Sequence, residues 1–282
     1  MPITSKVVAD SISSDGVRLI TLVSVYPRMI HSEVKTHRVL STNSASSRAI
    51  PIETVLKSIE EDPAMFVHWG KNQSGMSARE ELNPEAKERA KSIWLESMRD
   101  AVKHSRAMAS TGAHKQLVNR ITEPWTHMET VMTFTEIDNM MALRNHEDAQ
   151  PEFEALAKAM QQAIRESTPR LLRFNEWHTP FVSPEEYAHL YSISDILKPV
   201  KVSVARCARV SYKRQFVLKE IQEDLNRHDE SIRSGHMSPT EHQATPISSA
   251  VWCGNFRGWL QYRKTIPHES VFNPKLGAFE TS

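Results

Sequence analysis

The stretch that decides the fold is residues 17–27, VRLITLVSVYP, in which bulky apolar side chains alternate with smaller or polar ones. Alternation with a period of two is typical of a β-strand with one buried face. Residues 28–38 then favour a short helix, and residues 41–48, STNSASSR, are rich in serine and asparagine, as turns are. Because strand and helix patterns are mixed along the chain, the sequence favours an α+β fold.

Helical patterns dominate the centre of the chain. The long helix predicted here begins at Asn83, which can cap it, with Pro84 at the first helical position. Its expected buried face includes Ile93 and Trp94, and it is expected to end near Gly112. Other helices are predicted over residues 51–62, about 113–122, about 128–145 and about 151–165.

The last third of the chain is less regular. Residues 167–200 contain several prolines and are predicted to form an irregular connector. Residues 201–212 fit either a strand or the start of a helix. The remaining predicted elements are a helix over residues 214–227, a strand over residues 247–253 and a helix from about Asn255 to Arg263.

Composition narrows the class of protein. The 282 residues are 39% apolar and 24% charged, which is typical of a globular chain long enough to bury a core. The chain has 35 lysines and arginines and 34 acidic residues. This balance excludes a protein whose main function is to bind nucleic acid through a basic arm. With only Cys207 and Cys253, a disulfide framework and a four-thiolate zinc site are excluded as well.

Several common sequence signals are missing. The N-terminal stretch has no apolar segment of the signal-peptide type, and no apolar run reaches the roughly 20 residues that span a bilayer. Two cysteines fit a reducing compartment, so we expect a cytoplasmic protein. The strings GxGxxG and GxxxxGK[ST] do not occur, which argues against a Rossmann dinucleotide site and a P-loop.

A first group of candidate site residues lies within twelve positions: His37, Arg38, Asn43, Ser46 and Arg48. Hydroxyl, amide and guanidinium groups all donate hydrogen bonds to anionic oxygens, so this loop could wrap a phosphate. The alternative is an ordinary turn at the end of a helix, where histidine and arginine favour the dipole and serine and asparagine favour the turn.

The string GHMSPTEH, residues 235–242, combines two imidazoles with a carboxylate and could form an acid–base or metal site. The histidine spacing is not that of HExxH, and no further ligand is specified. The alternative is a capped helix start, with Ser238 as the N-cap, Pro239 at the first position and Glu241 at the third. Both interpretations can hold together.

Arginines and a cysteine supply further candidates. Arg120 and Arg144 lie on neighbouring predicted helical segments and are either anion ligands or ordinary surface arginines. Cys207 lies close in sequence to Arg206 and Arg209, which would lower the pKa of its thiol if they were also close in space. A nucleophilic thiol is therefore a further alternative.

Taken together, these strings resemble the flavin-dependent thymidylate synthases, in particular permuted, phage-like members of that family. The family signature is R-H-R-x-x-S-x-N-x-x-S-x-R-Y, and residues 36–49 read THRVLSTNSASSRA. Every fixed position matches except the first and the last, where Thr36 and Ala49 stand. Ser44 also stands where most members carry glutamate.

More of the family pattern follows in the first half of the chain. KNQSG (71–75) is similar to the Asn/Gln/Gly loop of the family, and RITEP (120–124) resembles its R-x-x-L-P. Residues 139–154, NMMALRNHEDAQPEFE, resemble N-x-x-x-L-R followed by A-Q-x-E-I. The residues that fall on family positions are Gln73, Arg120, Asn139, Arg144 and Gln150.

Strings that belong to the N-terminal part of family members occur here near the C-terminus of the chain. ARVSY (208–212) is similar to A-R-V-S-F, GHMSPTEH to G-H-x-[TS]-P-F-E-H, and RGWLQYR (257–263) to R-Q-W-F-R-H-R. Glu269 follows Arg263 by six residues, as the family glutamate does. The order therefore resembles a circular permutation with a duplicated signature helix, of which the first copy keeps the Ser/Arg loop and the second keeps the glutamate.

The resemblance implies an α+β fold with a central antiparallel sheet and long helices, and an enzyme that converts dUMP to dTMP. The carbon would come from 5,10-methylenetetrahydrofolate and the hydride from FAD, which NADPH reduces. No nucleophilic cysteine is required. Because family members are homotetramers, we expect a homo-oligomer, a tetramer or dimer, that binds a pyrimidine deoxynucleotide and a folate but neither nucleic acid nor a membrane.

The resemblance also implies residue roles. Arg144 and Arg120 would be catalytic, and Arg144 would stabilise negative charge on the pyrimidine. The expected nucleotide-binding residues are Ser46, Arg48, Gln73, Arg120, Arg144 and Glu269. The expected cofactor-binding residues are His37, Arg38, Asn43, Asn139, Ser211, His236, Ser238, Glu241, Gln261 and Arg263. No metal is expected.

In this scheme residues 1–166 carry the signature loop and the helical half that binds pyrimidine and flavin, 167–202 are a connector, and 203–282 form the second half. Other functions stay open. The same fold could hydroxymethylate dUMP or dCMP, or methylate dCMP, for phage DNA modification in the host cytoplasm. The chain could also be a non-catalytic nucleotide-binding paralogue. A metal-dependent hydrolase would rest on His236, Glu241 and His242.

Overall fold

The computed structural model of the protein describes residues 3–192, 195–212, 220–267, 269–270, 272–273 and 278–279. The strands are β1 (Thr4–Ser13), β2 (Arg18–Pro27), β3 (Ser41–Ser44), β4 (His127–Phe134), β5 (Arg170–Leu172), β6 (Ala244–Pro246), β7 (Trp252–Cys253), β8 (Phe256–Arg257), β9 (Trp259–Gln261), β10 (Phe272–Asn273) and β11 (Ala278–Phe279). The α-helices are α1 (His31–Val34), α2 (Ile52–Glu61), α3 (Pro84–Ser110), α4 (Lys115–Val118), α5 (Asp138–Arg144), α6 (Pro151–Glu166), α7 (Pro184–Leu190), α8 (Lys198–Arg209) and α9 (Ile221–Arg233).

A five-stranded sheet in the order β3-β4-β2-β1-β5 forms the centre of the molecule. Neighbouring strands run antiparallel, except that β1 and β5 are parallel. The strand predicted over residues 17–27 is β2, which lies in the middle of the sheet and is buried over nearly its whole length. The predicted strand and the α+β fold with a central, largely antiparallel sheet are confirmed.

Helix α6 confirms the helix predicted over residues 151–165, and it covers one face of this sheet. Phe153 and Leu156 of the helix and Leu22 and Met132 of the strands are all fully buried in one cluster. Burying each such side chain contributes roughly 1.5–3 kcal/mol to folding. The apolar stripe of the helix and the inner face of the sheet therefore stabilise each other.

The long helix α3 begins as predicted, since the Asn83 side chain accepts a hydrogen bond from the backbone N–H of Ala86 at 2.9 Å. Its expected buried face is confirmed at Trp94 and wrong at Ile93. Trp94 and Met98 pack towards α2, whereas Ile93 is 55% exposed. Successive helical residues differ by about 100° around the axis, so a helix that buries Trp94 and Met98 turns Ile93 outwards.

The helix predicted over residues 128–145 is wrong in its first half. This part of the chain forms β4, which pairs with β2 on one side and with β3 on the other, and α5 begins only at Asp138. Thr130, Val131 and Thr133 are β-branched and fit a pleated strand. Pairing on both sides also satisfies the buried backbone groups, which overrides the weak helical pattern.

The helix predicted from about Asn255 to Arg263 is also wrong, and with it the expected second signature helix. The segment forms β8, β9 and a short 3-10 turn, and β9 pairs with β6. Gly258 between the two strands has φ of 73°, a conformation that a helix does not contain and that glycine adopts without strain. The Trp259 indole N–H then donates to the carbonyl of Val17 at 3.2 Å, which holds the segment against the sheet.

The segment predicted to be an irregular connector, residues 167–200, is partly regular. It contains β5 and α7 and the first residues of α8. Residues 201–212, left open between strand and helix, continue α8 and end in a 3-10 turn. Helix α8 is favoured over a strand because Val200 and Val204, on its buried face, pack into a core cluster.

The remaining predictions for the last third are confirmed only in part. The helix expected over residues 214–227 corresponds to α9, and residues 214–219 lie outside the described residues. The strand expected over residues 247–253 is reduced to the two-residue β7. In the part of the chain that the structure describes, no helix is both long and apolar enough to cross a membrane.

Candidate functional site

A cleft of about 600 Å³ lies beside the end of β3, and we call it the edge cleft. Three sequence strings that are far apart along the chain meet there. The candidate residues that line it are Asn43, Ser46, Arg48, Ser211, His236 and Ser238. The structure therefore brings the first signature loop together with ARVSY and GHMSPTEH.

Residues 45–50, which we call the cleft loop, are held in place by hydrogen bonds to both halves of the chain. The backbone N–H of Ser46 donates to the carbonyl of Ser211 at 3.0 Å. The Asn119 side chain, itself buried, donates to the carbonyl of Ser47 at 2.7 Å. Because the backbone is fixed from two sides, the loop presents its side chains to the cleft without rearrangement.

Asn43 joins the two halves at the wall of the cleft. Its amide donates to the carbonyl of Cys207 at 2.7 Å, and its side-chain oxygen accepts from the Ser238 hydroxyl at 3.4 Å. The predicted capping role of Ser238 is wrong, because the 3-10 helix Ser238–Glu241 follows Met237 and has no side-chain cap. The hydroxyl is directed to the cleft wall instead.

A further wall of the cleft consists of residues that the sequence analysis missed. Arg227, Glu230 and Ser231 line the cleft from one face of α9, and Ser234 lines it directly after the last residue of that helix. Their spacing of three, four and seven residues is that of one helical face, and this polar stripe is the signal that could have found them. Lys115 also lines the cleft, and nothing in its local sequence marks it.

Cations outnumber carboxylates in the described lining of the edge cleft. The lining includes Arg48, Lys115 and Arg227 but only one described carboxylate, Glu230, together with several serines. Guanidinium, ammonium and hydroxyl donors suit the oxygens of phosphates, and the volume lies within the range of about 300–1,000 Å³ that is usual for ligand pockets. The residues present therefore fit a nucleotide phosphate or the pyrophosphate of a flavin dinucleotide.

Arg144 lies in a second cluster with His37. Its Nε donates to Nε2 of His37 at 3.1 Å, and its guanidinium lies 3.8 Å from Glu33 and 4.7 Å from the centre of the Phe153 ring. Burial and the charge of Arg144 lower the pKa of His37, so the imidazole is neutral, with its proton on Nδ1. These contacts hold the guanidinium in one orientation.

Two residues expected to contact the cofactor are exposed and do not line the edge cleft. Asn139 lies on α5, the helix that carries Arg144, and Arg38 follows His37. Among the described residues, neither side chain makes a hydrogen bond or an ion pair. In the single chain both are therefore available for other contacts.

Arg120 does not line the edge cleft and is paired with Glu123. The two side chains are 2.7 Å apart, and Arg120 is half exposed. The same carboxylate oxygen, Oε1, accepts from the Ser47 hydroxyl at 2.8 Å and lies 2.9 Å from the Arg28 guanidinium. Since Ser47 belongs to the cleft loop, Arg120 is connected to that loop through Glu123.

A third cluster contains the carboxylates expected near the cofactor. Arg263 donates to Glu241 and also to Glu269, the latter at 2.7 Å. Burial opposes ionisation of Glu269, but hydrogen bonds from Lys264, Ser270 and Arg263 outweigh it and lower the pKa of Glu269 to about 2. Glu269 is therefore ionised, and the charge of Arg263 is compensated by two carboxylates within the chain.

The two candidate glutamines lie away from the edge cleft. Gln261 is 2% exposed and donates to the Ser41 hydroxyl at 3.1 Å and to the carbonyl of Glu241 at 3.0 Å. It therefore joins β9 to β3 inside the protein. Gln73 lies in an exposed loop, where its amide donates to the carbonyl of Ser77 at 3.0 Å.

The geometry contradicts two alternative chemistries. Cys207 is fully buried, and burial raises the pKa of its thiol, so it is not a reactive thiolate. His242 is buried and bonded to Thr133 at 2.8 Å, whereas His236 is exposed and Glu241 is engaged in its ion pair. Within the described ranges, no group of three His, Cys, Asp or Glu side chains could hold a metal ion.

Comparison with known families agrees with the resemblance of the sequence strings. The family model described as thymidylate synthase complementing protein matches residues 18–170, which is more than half of the chain. The chain belongs to this family, the flavin-dependent thymidylate synthases. The match ends before residues 203–270, so the circular permutation stays a prediction.

Similarity to individual proteins is distant. No curated protein sequence matches the chain. A crystal structure of the UMP/dUMP methylase PolB from Streptomyces cacaoi bound with 5-Br UMP has 13% sequence identity and a TM-score of 0.48, and the match covers 58% of this chain and 89% of that one. The same methylase bound with 5-Br dUMP gives 13% identity, a TM-score of 0.46 and coverage of 58% and 90%.

Proposed function

We propose that the protein transfers a one-carbon unit from 5,10-methylenetetrahydrofolate to C5 of a pyrimidine deoxynucleotide in a flavin-dependent reaction, with dUMP as substrate and dTMP as product. Family membership supports this chemistry. The observation that carries the proposal is the edge cleft, which Ser46 and Arg48 line together with Ser211, His236 and Ser238. Two distant parts of the chain supply one set of donors that suits anionic ligands.

In this proposal Ser46 and Arg48 bind the phosphate of the nucleotide. Arg48 is exposed and forms no ion pair with any described carboxylate, so its charge is available to a ligand. Lys115 is fastened to the carbonyl of Ala49 at 3.0 Å and adds a second cation at a fixed place. Charge-assisted hydrogen bonds of this kind contribute about 1.5–3 kcal/mol each, which is enough to orient a nucleotide.

The donors that GHMSPTEH and ARVSY contribute to the cleft hold the flavin nucleotide in the same proposal. Ser211 and Ser238 present hydroxyl groups, and the His236 ring is kept in place by the Ser234 hydroxyl at 2.8 Å. Bound FAD would supply the hydride that completes the methyl group, with NADPH as the source of the electrons. The methylene carbon would bond to C5 as the C5 proton leaves, and its bonds to the folate nitrogens would break to release tetrahydrofolate.

Arg144 acts on the pyrimidine ring. Negative charge develops on a ring carbonyl as C5 becomes nucleophilic, and a guanidinium already in position stabilises that charge without reorganising. The contacts with His37 and Phe153 hold the Arg144 guanidinium in one orientation, in a cluster outside the described lining of the edge cleft. Neutral His37 accepts from Arg144 and so adds no competing positive charge.

The test is the visible absorption spectrum of the purified protein after FAD is added and the excess is removed. We expect retained flavin whose spectrum changes with dUMP but not with dCMP, and dTMP as the product once folate and NADPH are added. A change with dCMP alone, or a 5-hydroxymethyl product by mass spectrometry, would overturn the choice of substrate or product. A folded protein that retains no flavin would identify a non-catalytic paralogue.

We also propose that the working form is a homo-oligomer, a tetramer or a dimer. Arg38 and Asn139 belong to the expected cofactor site, but both are exposed in the single chain and lie outside the edge cleft. A second copy of the chain could supply the surface that they contact. Light scattering at the concentration of the activity assay checks this, and an active monomer would contradict it.

A further inference from the structure

We propose that Glu123 limits the affinity of the edge cleft for phosphate, because it acts as an internal counter-ion for Arg28 and Arg120 beside the cleft loop. The inference rests on the proposed function, in which a nucleotide phosphate binds at that loop. It adds a residue that the sequence strings do not mark as a ligand and that does not line the cleft itself.

The first observation is that three donors converge on one oxygen. Oε1 of Glu123 accepts from Nη1 of Arg120 at 2.7 Å, from the Ser47 hydroxyl at 2.8 Å and from Arg28, whose guanidinium lies 2.9 Å away. Two guanidinium groups and a hydroxyl around one oxygen are the donors that a phosphate oxygen also attracts. The carboxylate thus occupies the place that an anion would take among these donors.

The second observation concerns the two arginines. The side chains of Glu123 and Arg28 are each 22% exposed, so their interaction is only partly screened by water. Burial lowers the pKa of Arg28, the nearby charge of Arg120 lowers it further, and Glu123 opposes both. The carboxylate therefore offsets the electrostatic repulsion between the two neighbouring guanidinium groups.

The third observation links this cluster to the cleft. Ser47 is buried within the cleft loop, and its neighbours in sequence, Ser46 and Arg48, line the cleft. The charge of the cluster is therefore felt where the phosphate is proposed to bind. Neutralising Glu123 would leave two arginines uncompensated there, which makes the potential at the loop more positive and strengthens phosphate binding.

This mechanism predicts opposite effects on dUMP binding for substitutions of the two residues that form the Ser47–Glu123 hydrogen bond. Glu123→Gln keeps the shape of the side chain and removes its charge, so dUMP should bind more tightly, by about three- to tenfold at low salt. Ser47→Ala keeps both arginines and the carboxylate but removes the hydroxyl that ties the loop to Glu123, so dUMP should bind more weakly. A purely structural role of Glu123 would weaken binding in both variants.

The experiment is isothermal titration calorimetry of the full chain with dUMP, inorganic phosphate and deoxyuridine, at low and at high salt. In Glu123→Gln we expect tighter binding of dUMP and phosphate, unchanged binding of deoxyuridine, and a gain that shrinks as salt screens the charges. Glu60→Gln is the matched control, since Glu60 also pairs with an arginine, Arg106, but on the outer helices α2 and α3. It should leave all three affinities unchanged.

Unchanged or weaker dUMP binding by folded Glu123→Gln would overturn the inference and leave the proposed function standing. Equal tightening of deoxyuridine would also overturn it, because the effect would then not depend on phosphate. If Glu123→Gln does not fold, Arg120→Gln provides the reverse test and must weaken dUMP without affecting deoxyuridine. Wild-type protein that binds neither dUMP nor phosphate would refute both the inference and the nucleotide site.

Discussion

The edge cleft and a buried chain of hydrogen bonds in the sheet are both rich in polar groups, but they differ in what those groups face. In the buried chain, Ser11, His178, Thr21, Thr133 and His242 are joined one to the next at 2.8 Å across strands β1, β2 and β4. Each of these side chains is hydrogen-bonded to the next one in the chain. In the edge cleft, cationic and hydroxyl groups face open volume.

The difference in environment decides what each region can do. Burial lowers the pKa of His178 and of His242 to about 3, so both rings stay neutral at physiological pH and exchange no protons there. Nε2 of His242 is buried without a hydrogen-bond partner in the described structure, so the chain ends there. Two histidines in a short string are therefore a weak sign of chemistry unless their surroundings are known.

The largest expected effect is the loss of stability in acid, and it comes from the buried chain. Because the pKa values of His178 and His242 are lower in the folded protein than in the unfolded one, stability is fully present above about pH 6.5 and falls as the pH drops towards 3. Each histidine contributes a slope of about 1.4 kcal/mol per pH unit in that window. Urea unfolding at pH 7, 6 and 5 measures it, and a constant free energy of unfolding would show that these rings are not buried and neutral.

Arg144→Ala tests the chemistry that is proposed around the cleft. Loss of a fixed positive group at a developing negative charge costs about 10²- to 10³-fold in turnover, as it does for other such donors. The melting temperature and the bound flavin should change little, since Arg144 is partly exposed at the surface. Single-turnover kinetics with dUMP checks this prediction, and unchanged turnover would remove Arg144 from the mechanism.

Arg48→Ala tests the difference between the two regions at the cleft. Removal of a charge-assisted contact to phosphate should weaken dUMP by about 10- to 100-fold and leave the free energy of unfolding within about 0.5 kcal/mol. FAD should remain bound. Joint loss of dUMP and FAD binding would refute the proposed division of the cleft, and Arg106→Ala on the outer helix α3 is the matched control.

Thr133→Val tests the buried chain. In contrast to Arg48→Ala, it should lower the stability and leave the affinity for dUMP unchanged. The variant keeps the shape of the side chain but removes the hydroxyl between Thr21 and His242. Leaving a buried ring nitrogen unpaired costs about 1–3 kcal/mol of stability, and dUMP affinity of the folded protein should not change. Weaker dUMP binding without loss of stability would show that the buried chain acts on the cleft.

Elements whose signals lie within a few residues could be predicted from the sequence. The strand β2, the Asn83 cap of α3 and the apolar stripe of α6 all appear in the structure as expected. The errors fall where distant contacts decide. β4 is a strand because β2 and β3 flank it, and the segment around Gly258 is extended because it pairs with β6 and packs against Val17.

The candidate site shows the same division. Residue types and spacing were enough to single out Asn43, Ser46, Arg48 and Ser238, and these do line one cleft. They did not reveal Lys115, and they did not show that Glu123 would pair with the distant Arg28. Side-chain partners across a fold leave no mark in the spacing of either partner.

The amino-acid sequence alone was therefore sufficient for the fold class, the main helices and the family, because caps, periodicity and motif spacing are set by neighbours along the chain. The edge cleft exists only because the N–H of Ser46 meets the carbonyl of Ser211 and the hydroxyl of Ser238 meets Asn43. Whether a polar group became part of an open cleft or of a closed hydrogen-bonded chain depended on burial and on partners from distant segments. Those are properties of the packed molecule, and local sequence does not encode them.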